Sequence, residues 1–355
     1  MTHPFTPPLA VPLPDVPDTR PADWQPGWVQ SIADDGPVDI SVCIANWNCC
    51  AYLRACLESL HDLPQGVRVE TIVADNASTD GAPDMAARDF PEVVVIRNRK
   101  NHGFARASNQ AAACARGRYL LFLNNDTVVP AGTLRRLLDF ADAHPNVGMI
   151  GPKLRDAEGR LQISFRKRPT IAALLHRTLI LRWTGLLKRA YYRYRRTGFE
   201  PSGEARPVEV LMGAAVLMRR DYFEQCGRWD EDFHFGGEDI ELSARVGRQR
   251  ELVYAPQIEI VHHGRISSRQ NVAFAAPNVA IGYVHYFRKA RASRAAVFAY
   301  KLAVTLDGPF HLVAKFAQSV WRAARGEKAK AEKSWIAAKG VWHFLVKELV
   351  RFWRA

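Results

Sequence analysis

Asparagine and aspartate side chains follow four apolar runs in the first half of the sequence. They are Asn46 and Asn48, Asp75 and Asn76, Asn98 and Asn101, and Asn124 to Asp126. Each of these residues taken alone is more simply a turn residue, because Asn and Asp favour turns. Four polar ends of one kind together indicate a binding site. Carboxylate and amide oxygens are also suitable ligands for a hard divalent cation.

The runs that precede these residues alternate with helical patterns. Strands are predicted at 39–46, 67–76, 93–98, 119–126 and 147–154, and helices at 49–61, 104–115 and 133–144. This alternation predicts an α/β fold with a doubly wound, mostly parallel central sheet flanked by helices. In such sheets ligands bind outside the carboxyl ends of the strands, which is where the polar residues fall.

Two common phosphate-binding motifs, GxGxxG and GxxxxGK[ST], are absent after the first predicted strand. Their absence argues against the usual dinucleotide-dependent hydride transfer and against ATP hydrolysis of the P-loop type. Without a glycine loop, a bound diphosphate would need another countercharge. A divalent metal, Mg²⁺ or Mn²⁺, held by carboxylate, amide and imidazole ligands would supply it.

The formal charge of +13 on 355 residues is concentrated in two stretches. Residues 166–196 contain ten Lys/Arg and no acid, and residues 283–355 contain fifteen Lys/Arg against four acids. Such stretches attract phosphates on nucleic acid, anionic lipid or a diphosphate substrate, although they could equally be solvated helix faces. A nucleic-acid-binding protein would place Arg and Lys among the motif residues. Because the strand ends carry Asn and Asp instead, no nucleic-acid partner is predicted.

The ends of the chain and its cysteines bear on location. Residues 1–37 hold nine of the 21 prolines and are predicted to be a disordered leader. No secretory signal and no uncharged apolar run of about 18 residues is found. The six cysteines form no CxxC pair, which is typical of a reducing cytoplasm.

Six motifs in order resemble family 2 glycosyltransferases with the GT-A fold. The nucleotide-sugar half is carried by ISVCIANWN (40–48), VADNASTDG (73–81), RKNHGFARASN (99–109) and LFLNNDTVVP (121–130). Residues 208–246 and EIVHHGRISS (259–268) resemble the acceptor half of bacterial rhamnosyltransferase-like members. The resemblance implies a GT-A catalytic domain at 38–282, divided into a nucleotide-sugar half (38–154) and an acceptor half (155–282). Residues 283–355 would be a basic helical extension.

The resemblance implies metal-dependent, inverting transfer of rhamnose or another hexose from a UDP- or dTDP-sugar. Asp75 would accept a hydrogen bond from the imide N–H of the base. Residues implied to bind the nucleotide sugar are Asn46, Asn48, Asp75, Asn76, Asn101, Gly103, Phe104, Asn109, Asn125 and Asp126. Those implied to bind the metal are Asn124, Asp126 and either His262 or His263. Asn124 stands where many family members carry an acid, so metal binding should be weaker unless a histidine contributes.

The acceptor would be a saccharide or a polyprenyl-linked saccharide of cell-envelope polysaccharide synthesis. In the family the Asp of a Glu-Asp pair is the base, which implies Asp239 here, with Glu238 beside it binding acceptor hydroxyls. The acceptor side would also include Trp229, Asp230 and Glu241. Without the resemblance, the acids would simply favour the first turn of a helix, and Trp229 would as readily be a core aromatic.

In the C-terminal extension a stripe of apolar residues recurs at helical spacing beside Lys and Arg. The stripe consists of Trp335, Trp342, Leu345, Leu349 and Phe352. It predicts either an interfacial helix on an anionic membrane or a helix packed on the catalytic domain. The first alternative predicts a cytoplasmic protein, peripheral on the inner face of the plasma membrane.

One other enzyme class shares the sheet and the metal, namely sugar-phosphate nucleotidyltransferases. They usually have a glycine-rich, basic loop after the first strand. The corresponding segment here, NWNCCAYL (46–53), has neither property. Transfer of a sugar therefore remains the favoured prediction.

Overall fold

The structure, a computed structural model, describes residues 37–61, 66–195, 203–264 and 272–355. The predicted leader lies outside the described residues except for Pro37. The end of the EIVHHGRISS motif, beyond Gly264, also lies outside them.

The first half of the chain alternates strands and helices as predicted, with boundaries shifted by one or two residues. Its elements are β1 (Ile40–Asn46), α1 (Cys50–His61), β2 (Val69–Asp75), α2 (Ala82–Asp89), β3 (Val94–Arg97), α3 (Phe104–Cys114), β4 (Tyr119–Asn124), β5 (Thr127–Val128), α4 (Thr133–Ala143) and β6 (Met149–Arg155). The short elements α2 and β5 were not predicted.

The second half inserts short helices between its strands and ends in a helical stretch. Its first elements are β7 (Phe165–Arg166), α5 (Ile171–Leu175), α6 (Leu179–Thr184), α7 (Lys188–Arg195), β8 (Arg206–Val208), β9 (Val210–Leu211), β10 (Ala215–Arg219), α8 (Arg220–Gln225), α9 (Glu238–Val246) and β11 (Leu252–His262). The C-terminal helices are α10 (Val272–Lys289), α11 (Arg294–Ala324), α12 (Lys328–His343), a π-helical turn (Phe344–Glu348) and α13 (Leu349–Arg354).

Among the described residues, one nine-stranded sheet forms the centre, with the order β3-β2-β1-β4-β10-β6-β11-β5 and β8 paired to β11. Strands β3, β2, β1 and β4 are parallel neighbours. Strand β10 is antiparallel to both β4 and β6, and β11 runs parallel to β6. The predicted α/β class with a mostly parallel sheet is confirmed. The polar ends of β1, β2 and β4 consequently meet at one edge.

The side chains of β4 alternate between two hydrophobic clusters, because successive residues of a strand point to opposite faces. Leu121 and Leu123 join the cluster formed with α1, α2 and α4. Leu120 and Phe122 join the cluster formed with α3, α8 and α9. Each fully buried side chain of this size contributes roughly 1.5–3 kcal/mol. The sheet is therefore a rigid base for the polar loops at its edge.

A third cluster joins the acceptor half to the C-terminal helices. Phe233 and Ile240 pack with Tyr283 and Val284 of α10. Within α10, a Cβ at Gly282 would lie 1.9 Å from the carbonyl oxygen of Gly236, so only glycine allows this approach. The division predicted at residue 282 thus falls inside a continuous helix, and the packing in the described residues runs across it.

The apolar stripe predicted near the C-terminus does not form one outward face. Phe352 is fully buried, whereas Trp342 is 59% exposed. Leu345 packs against the backbone of Gly308 in α11. The stripe is interrupted by the π-helical turn, which rotates the following residues relative to α12. Much of it consequently packs inward.

Among the described helices, none combines the length and the apolar character that crossing a bilayer requires. All six cysteines lie in described residues and are free thiols.

Candidate active site

Four side chains at the ends of β1, β2 and β4 form one hydrogen-bonded group. Asn46 Nδ2 donates to Asp75 Oδ1 at 2.8 Å, and Asn125 Nδ2 donates to Asn46 Oδ1 at 2.7 Å. Ser78 binds Asp75 twice, through its backbone N–H at 2.8 Å and its hydroxyl at 2.6 Å. Asn46 and Ser78 thus bind the Asp75 carboxylate directly, and Asn125 holds Asn46 in place. The carboxylate is buried and retains acceptor capacity.

The adjoining loops are held by three other residues that are predicted to bind the nucleotide sugar. Asn48 Oδ1 accepts from Thr79 N at 2.8 Å. Asn76 Nδ2 donates to the carbonyl of Gly103 at 3.1 Å, and Asn101 Oδ1 accepts from the N–H of Gly103 at 2.8 Å. Gly103 has φ 86°, a value that favours glycine. These side chains shape the edge of the sheet by fixing its loops.

Two other residues that are predicted to bind the nucleotide sugar contact the acceptor segment instead. Both ends of the Asn109 amide are taken by the backbone of Trp229, at 2.8 Å and 3.1 Å. The ring of Phe104 stands edge-on to Trp229 with centroids 5.3 Å apart. Asn109 and Phe104 therefore brace the acceptor segment against α3, and the prediction that these two side chains contact the nucleotide is corrected.

The metal ligands implied by the sequence converge at the end of β4. His262 Nε2 lies 3.3 Å from Asp126 Oδ1 and 3.3 Å from Asn124 Nδ2. Antiparallel pairing of β5 with β11 sets His262 opposite Thr127 and so brings the histidine to the aspartate. His263 instead turns its ring toward Tyr52, with centroids 5.2 Å apart. His262, rather than His263, faces the aspartate.

Gln162 determines which nitrogen of His262 is available. The amide of Gln162 donates from Nε2 to the carbonyl of His262 at 2.6 Å, which turns its Oε1 toward His262 Nδ1 at 2.8 Å. Nδ1 must therefore carry the proton, and Nε2 keeps its lone pair toward Asp126. A metal-binding histidine is typically fixed by such a hydrogen bond to its other nitrogen.

This donor set fits a divalent cation. The carboxylate of Asp126 and the imidazole of His262 are both suitable ligands for Mn²⁺. A half-turn of the Asn124 amide would present its oxygen in place of its nitrogen. In the described part of the chain no three His, Cys, Asp or Glu side chains converge on one point, so two strong protein ligands and an amide are the available set.

The predicted base occupies the first turn of α9. Asp239 is buried, and Nη2 of Arg166 donates to both of its oxygens, at 3.0 Å and 2.9 Å. Burial alone would lower the pKa of Arg166, but the charges of Asp239 and of the neighbouring Tyr194, Tyr283 and Glu238 together raise that pKa. Nε of Arg166 is buried without a hydrogen-bond partner among the described residues. The proposed base is therefore fixed in direction by one arginine.

Glu238 is protonated near neutral pH. Burial, followed by the charge of Asp239, raises the pKa of Glu238 to about 8. Its Oε2 atom is buried and has no hydrogen-bond partner in the described structure. A carboxyl group whose pKa is raised by burial and by a neighbouring carboxylate is typical of catalytic sites.

The remaining residues of the predicted acceptor side have structural partners. Glu241 forms an ion pair with Arg245 at 2.6 Å, and both are largely buried. Asp230 forms an ion pair with Lys289 of α10. Trp229 is only 1% exposed and packs edge-on against Phe122. The prediction that Trp229 belongs to the acceptor-binding surface is wrong, since its ring belongs to the core.

We expect Trp229→Ala to lower the free energy of unfolding by about 3–5 kcal/mol, because it leaves a large cavity between α3 and the sheet. Chemical denaturation would measure the loss. Trp229→Phe should cost less, since the smaller ring still fills part of that cavity while the unpartnered indole N–H is lost in both variants. A raised KM for the acceptor, with unchanged stability, would instead favour a contact between Trp229 and the acceptor.

Sequence reasoning missed Ser78, Gln162 and Arg166. Ser78 lies within the VADNASTDG motif, where its position three residues after Asp75 is typical of a side-chain turn. Gln162 and Arg166 stand outside the recognised motifs, and Arg166 opens a basic stretch that resembles a solvated surface. Their roles depend on contacts across 100 and 73 positions of sequence.

Comparison with solved structures supports the class of protein. The structure of GalNAc-T7 with UDP, GalNAc and Mn²⁺ matches with a TM-score of 0.50 and 18% identity, over 70% of this chain and 48% of that one. At this identity the likeness concerns the fold alone. The central sheet and its helices have the GT-A fold.

The chain belongs to glycosyl transferase family 2, whose model matches residues 41–227. An N-acetylglucosaminyl-diphospho-decaprenol L-rhamnosyltransferase of Mycobacterium tuberculosis is 33% identical over 218 residues, which cover 58% of this chain and 70% of the relative. The O-antigen biosynthesis protein RfbC of Myxococcus xanthus is 29% identical over 61% of this chain but only 16% of its own length. The predicted family and enzyme class are confirmed.

Proposed function

We propose that the protein is a metal-dependent, inverting glycosyltransferase that moves rhamnose or another hexose from a UDP- or dTDP-sugar to a saccharide or lipid-linked saccharide. The observation that carries the metal dependence is the 3.3 Å approach of His262 Nε2 to Asp126 Oδ1. Asn124 completes the ligand set, and Gln162 keeps the histidine in the required tautomer. When bound, Mg²⁺ or Mn²⁺ would offset the charge of the donor's diphosphate.

The group of side chains around Asp75 supports binding of a uracil or thymine base. An ionised carboxylate only accepts hydrogen bonds, so it recognises a base edge that presents an N–H. Asn46 and Ser78 restrict the carboxylate to one orientation. Asn125, which holds Asn46, is followed directly by Asp126, and this adjacency supports a base site next to the diphosphate site.

Asp239 takes the role of base in this mechanism. The acceptor hydroxyl oxygen attacks the anomeric carbon and forms the new C–O bond, while the bond from that carbon to the diphosphate oxygen breaks. The hydroxyl proton passes to Asp239, and the nucleoside diphosphate leaves. Arg166 orients the Asp239 carboxylate, and neutral Glu238 can both donate and accept a hydrogen bond at the acceptor.

The proposed acceptor is a sugar linked to a polyprenyl diphosphate in cell-envelope polysaccharide synthesis. The named substrate of the Mycobacterium tuberculosis relative and the O-antigen role of the Myxococcus xanthus relative support this assignment. Such an acceptor lies in a membrane. We therefore place the enzyme in the cytoplasm, peripheral on the inner face of the plasma membrane and attached through its basic C-terminal helices.

A transfer assay tests the proposal. UDP- and dTDP-sugars are supplied with Mn²⁺ or Mg²⁺ and with N-acetylglucosaminyl diphosphate on a short, water-soluble prenyl chain, and products are identified by mass spectrometry. We expect one donor to yield a free nucleoside diphosphate and a product heavier by one hexose. The transferred sugar should have the anomeric configuration opposite to that in the donor. Formation of a sugar nucleotide from a nucleoside triphosphate and a sugar phosphate would contradict the proposal.

A further inference from the structure

One side of helix α11 is both apolar and exposed along the helix. Its exposed side chains include Phe298, Leu306, Phe310, Val313, Phe316 and Val320. Their spacings of three, four and seven or eight residues place them on one face. The other residues at helical spacing on this face are Ala, Leu, Pro or Trp, so the face contains no Lys, Arg, Asp or Glu. We call it the outer face of α11.

The opposite side of α11 is already occupied. Val297, Tyr300 and Gly308 are buried on that side. Tyr300 packs on Phe287 of α10, and Leu345 lies against Gly308. Helix α11 is apolar on two opposite sides, and internal packing covers only one of them. An exposed apolar surface of this length marks an interaction site.

Helix α6 adds a second exposed apolar element beside α11. The backbone N–H of Leu179 donates to Asp307 Oδ1 in α11 at 2.6 Å, which anchors α6 there. None of the six residues of α6 is buried, and Trp183 is 90% exposed. Tryptophan prefers a membrane interface, because its ring is apolar while its N–H is polar.

The charges around α11 and α6 indicate what binds to this apolar surface. No acid occurs between residues 166 and 196, a stretch that includes α6 and α7, and the C-terminal helices are also strongly basic. A second copy of the chain docked on this face would bring like charges together. An anionic lipid surface would attract them.

We propose that the outer face of α11, together with α6, docks the protein on an anionic lipid bilayer. The apolar side chains enter the boundary between headgroups and acyl chains, and the flanking Lys and Arg bind the headgroup phosphates. This inference rests on the proposed function, since a polyprenyl-linked acceptor is held in the bilayer. It places the attachment on α11 and α6 rather than on the C-terminal stripe.

Vesicle flotation with the full chain tests the assignment. The probes are vesicles of phosphatidylcholine alone and of equal parts phosphatidylcholine and phosphatidylglycerol. The variant Leu306→Ser/Phe310→Ser/Val313→Ser removes three exposed side chains, with Trp183→Ser as a second variant. Trp342→Ser, at an exposed tryptophan of α12, is the control. We expect the triple variant to lose about tenfold or more in affinity for the anionic vesicles while its circular dichroism and melting temperature are unchanged.

Several outcomes would overturn the inference. They are wild-type failure to bind anionic vesicles, equal binding to both kinds of vesicle, and loss of binding in the α12 control alone. A lipid-free dimer that the triple variant dissociates in light scattering would assign the face to a second copy of the chain. Transfer to the water-soluble acceptor should survive in the triple variant. Absence of that transfer in a wild-type protein that binds vesicles would contradict the proposed function but leave the docking surface intact.

Discussion

The Asp239→Asn enzyme is expected to bind its nucleotide sugar almost as the wild type does and to transfer sugar about 10²–10⁴-fold more slowly. The amide preserves the shape of the side chain but cannot take the acceptor proton. The residues proposed to hold the nucleotide, around Asp75 and Asp126, make none of their described hydrogen bonds with Asp239. Turnover at saturating donor and calorimetric nucleotide affinity would separate the two effects.

Two matched variants sharpen this test. Asp221→Asn changes an exposed acid at the start of α8 and should be silent. Glu238→Gln should reduce transfer far less than Asp239→Asn at neutral pH, because the Glu238 pKa of about 8 already makes this side chain neutral there. Near wild-type turnover in Asp239→Asn, or equal losses in both carboxyl variants, would remove Asp239 from the role of base.

The Asp126→Ala enzyme should lose the Mn²⁺-dependent part of its UDP or dTDP affinity. Asp126 supplies the sole negative charge among the proposed protein ligands, since Asn124 and His262 are neutral. Losing a direct ligand should weaken metal binding by at least as much as the roughly 10–100-fold typical of residues that only orient a ligand. Calorimetry with and without Mn²⁺ measures the difference.

A graded variant distinguishes metal binding from general damage. Gln162→Leu leaves every proposed ligand in place but removes the hydrogen bond to His262 Nδ1, so metal affinity should fall by about 10–100-fold. Asp139→Ala, on the exposed side of α4, is the silent control. Nucleotide affinity that responds equally to Mn²⁺ in wild type and in Asp126→Ala would show that this edge does not bind the metal.

The first half of the fold was predictable because its determinants are local. Buried parallel strands are continuous apolar runs, so their ends are visible wherever Asn or Asp interrupts them, as at Asn46 and Asp75. The strand ends then meet by the rule for parallel sheets. The sequence did not show which histidine faces Asp126. The antiparallel pairing of β5 with β11 decides that it is His262 and not His263.

The acceptor side was harder to predict because the same residue types serve packing and binding. Trp229 satisfies the requirements of a sugar-stacking residue and of a core residue, and only its burial separates them. Arg166 looked like the beginning of a solvated basic run, because the pattern of charges along the chain does not reveal that Asp239 is its partner. The spacing of the C-terminal stripe did not show which of its residues pack inward for a related reason, since the π-helical turn changes the helical phase of the residues after it.

The contact between Gly236 and Gly282 has a consequence for recombination among relatives. The loop that precedes Asp239 rests on α10 at a distance that no side chain tolerates, so both surfaces must derive from one parent. Exchange of the nucleotide-sugar half must instead preserve the contacts of α3 with residues 229–234, the shared strands of the sheet and the approach of His262 to Asp126. Donor preference should therefore be transferable between family members as a module, whereas the acceptor loop and the C-terminal helices must be exchanged together.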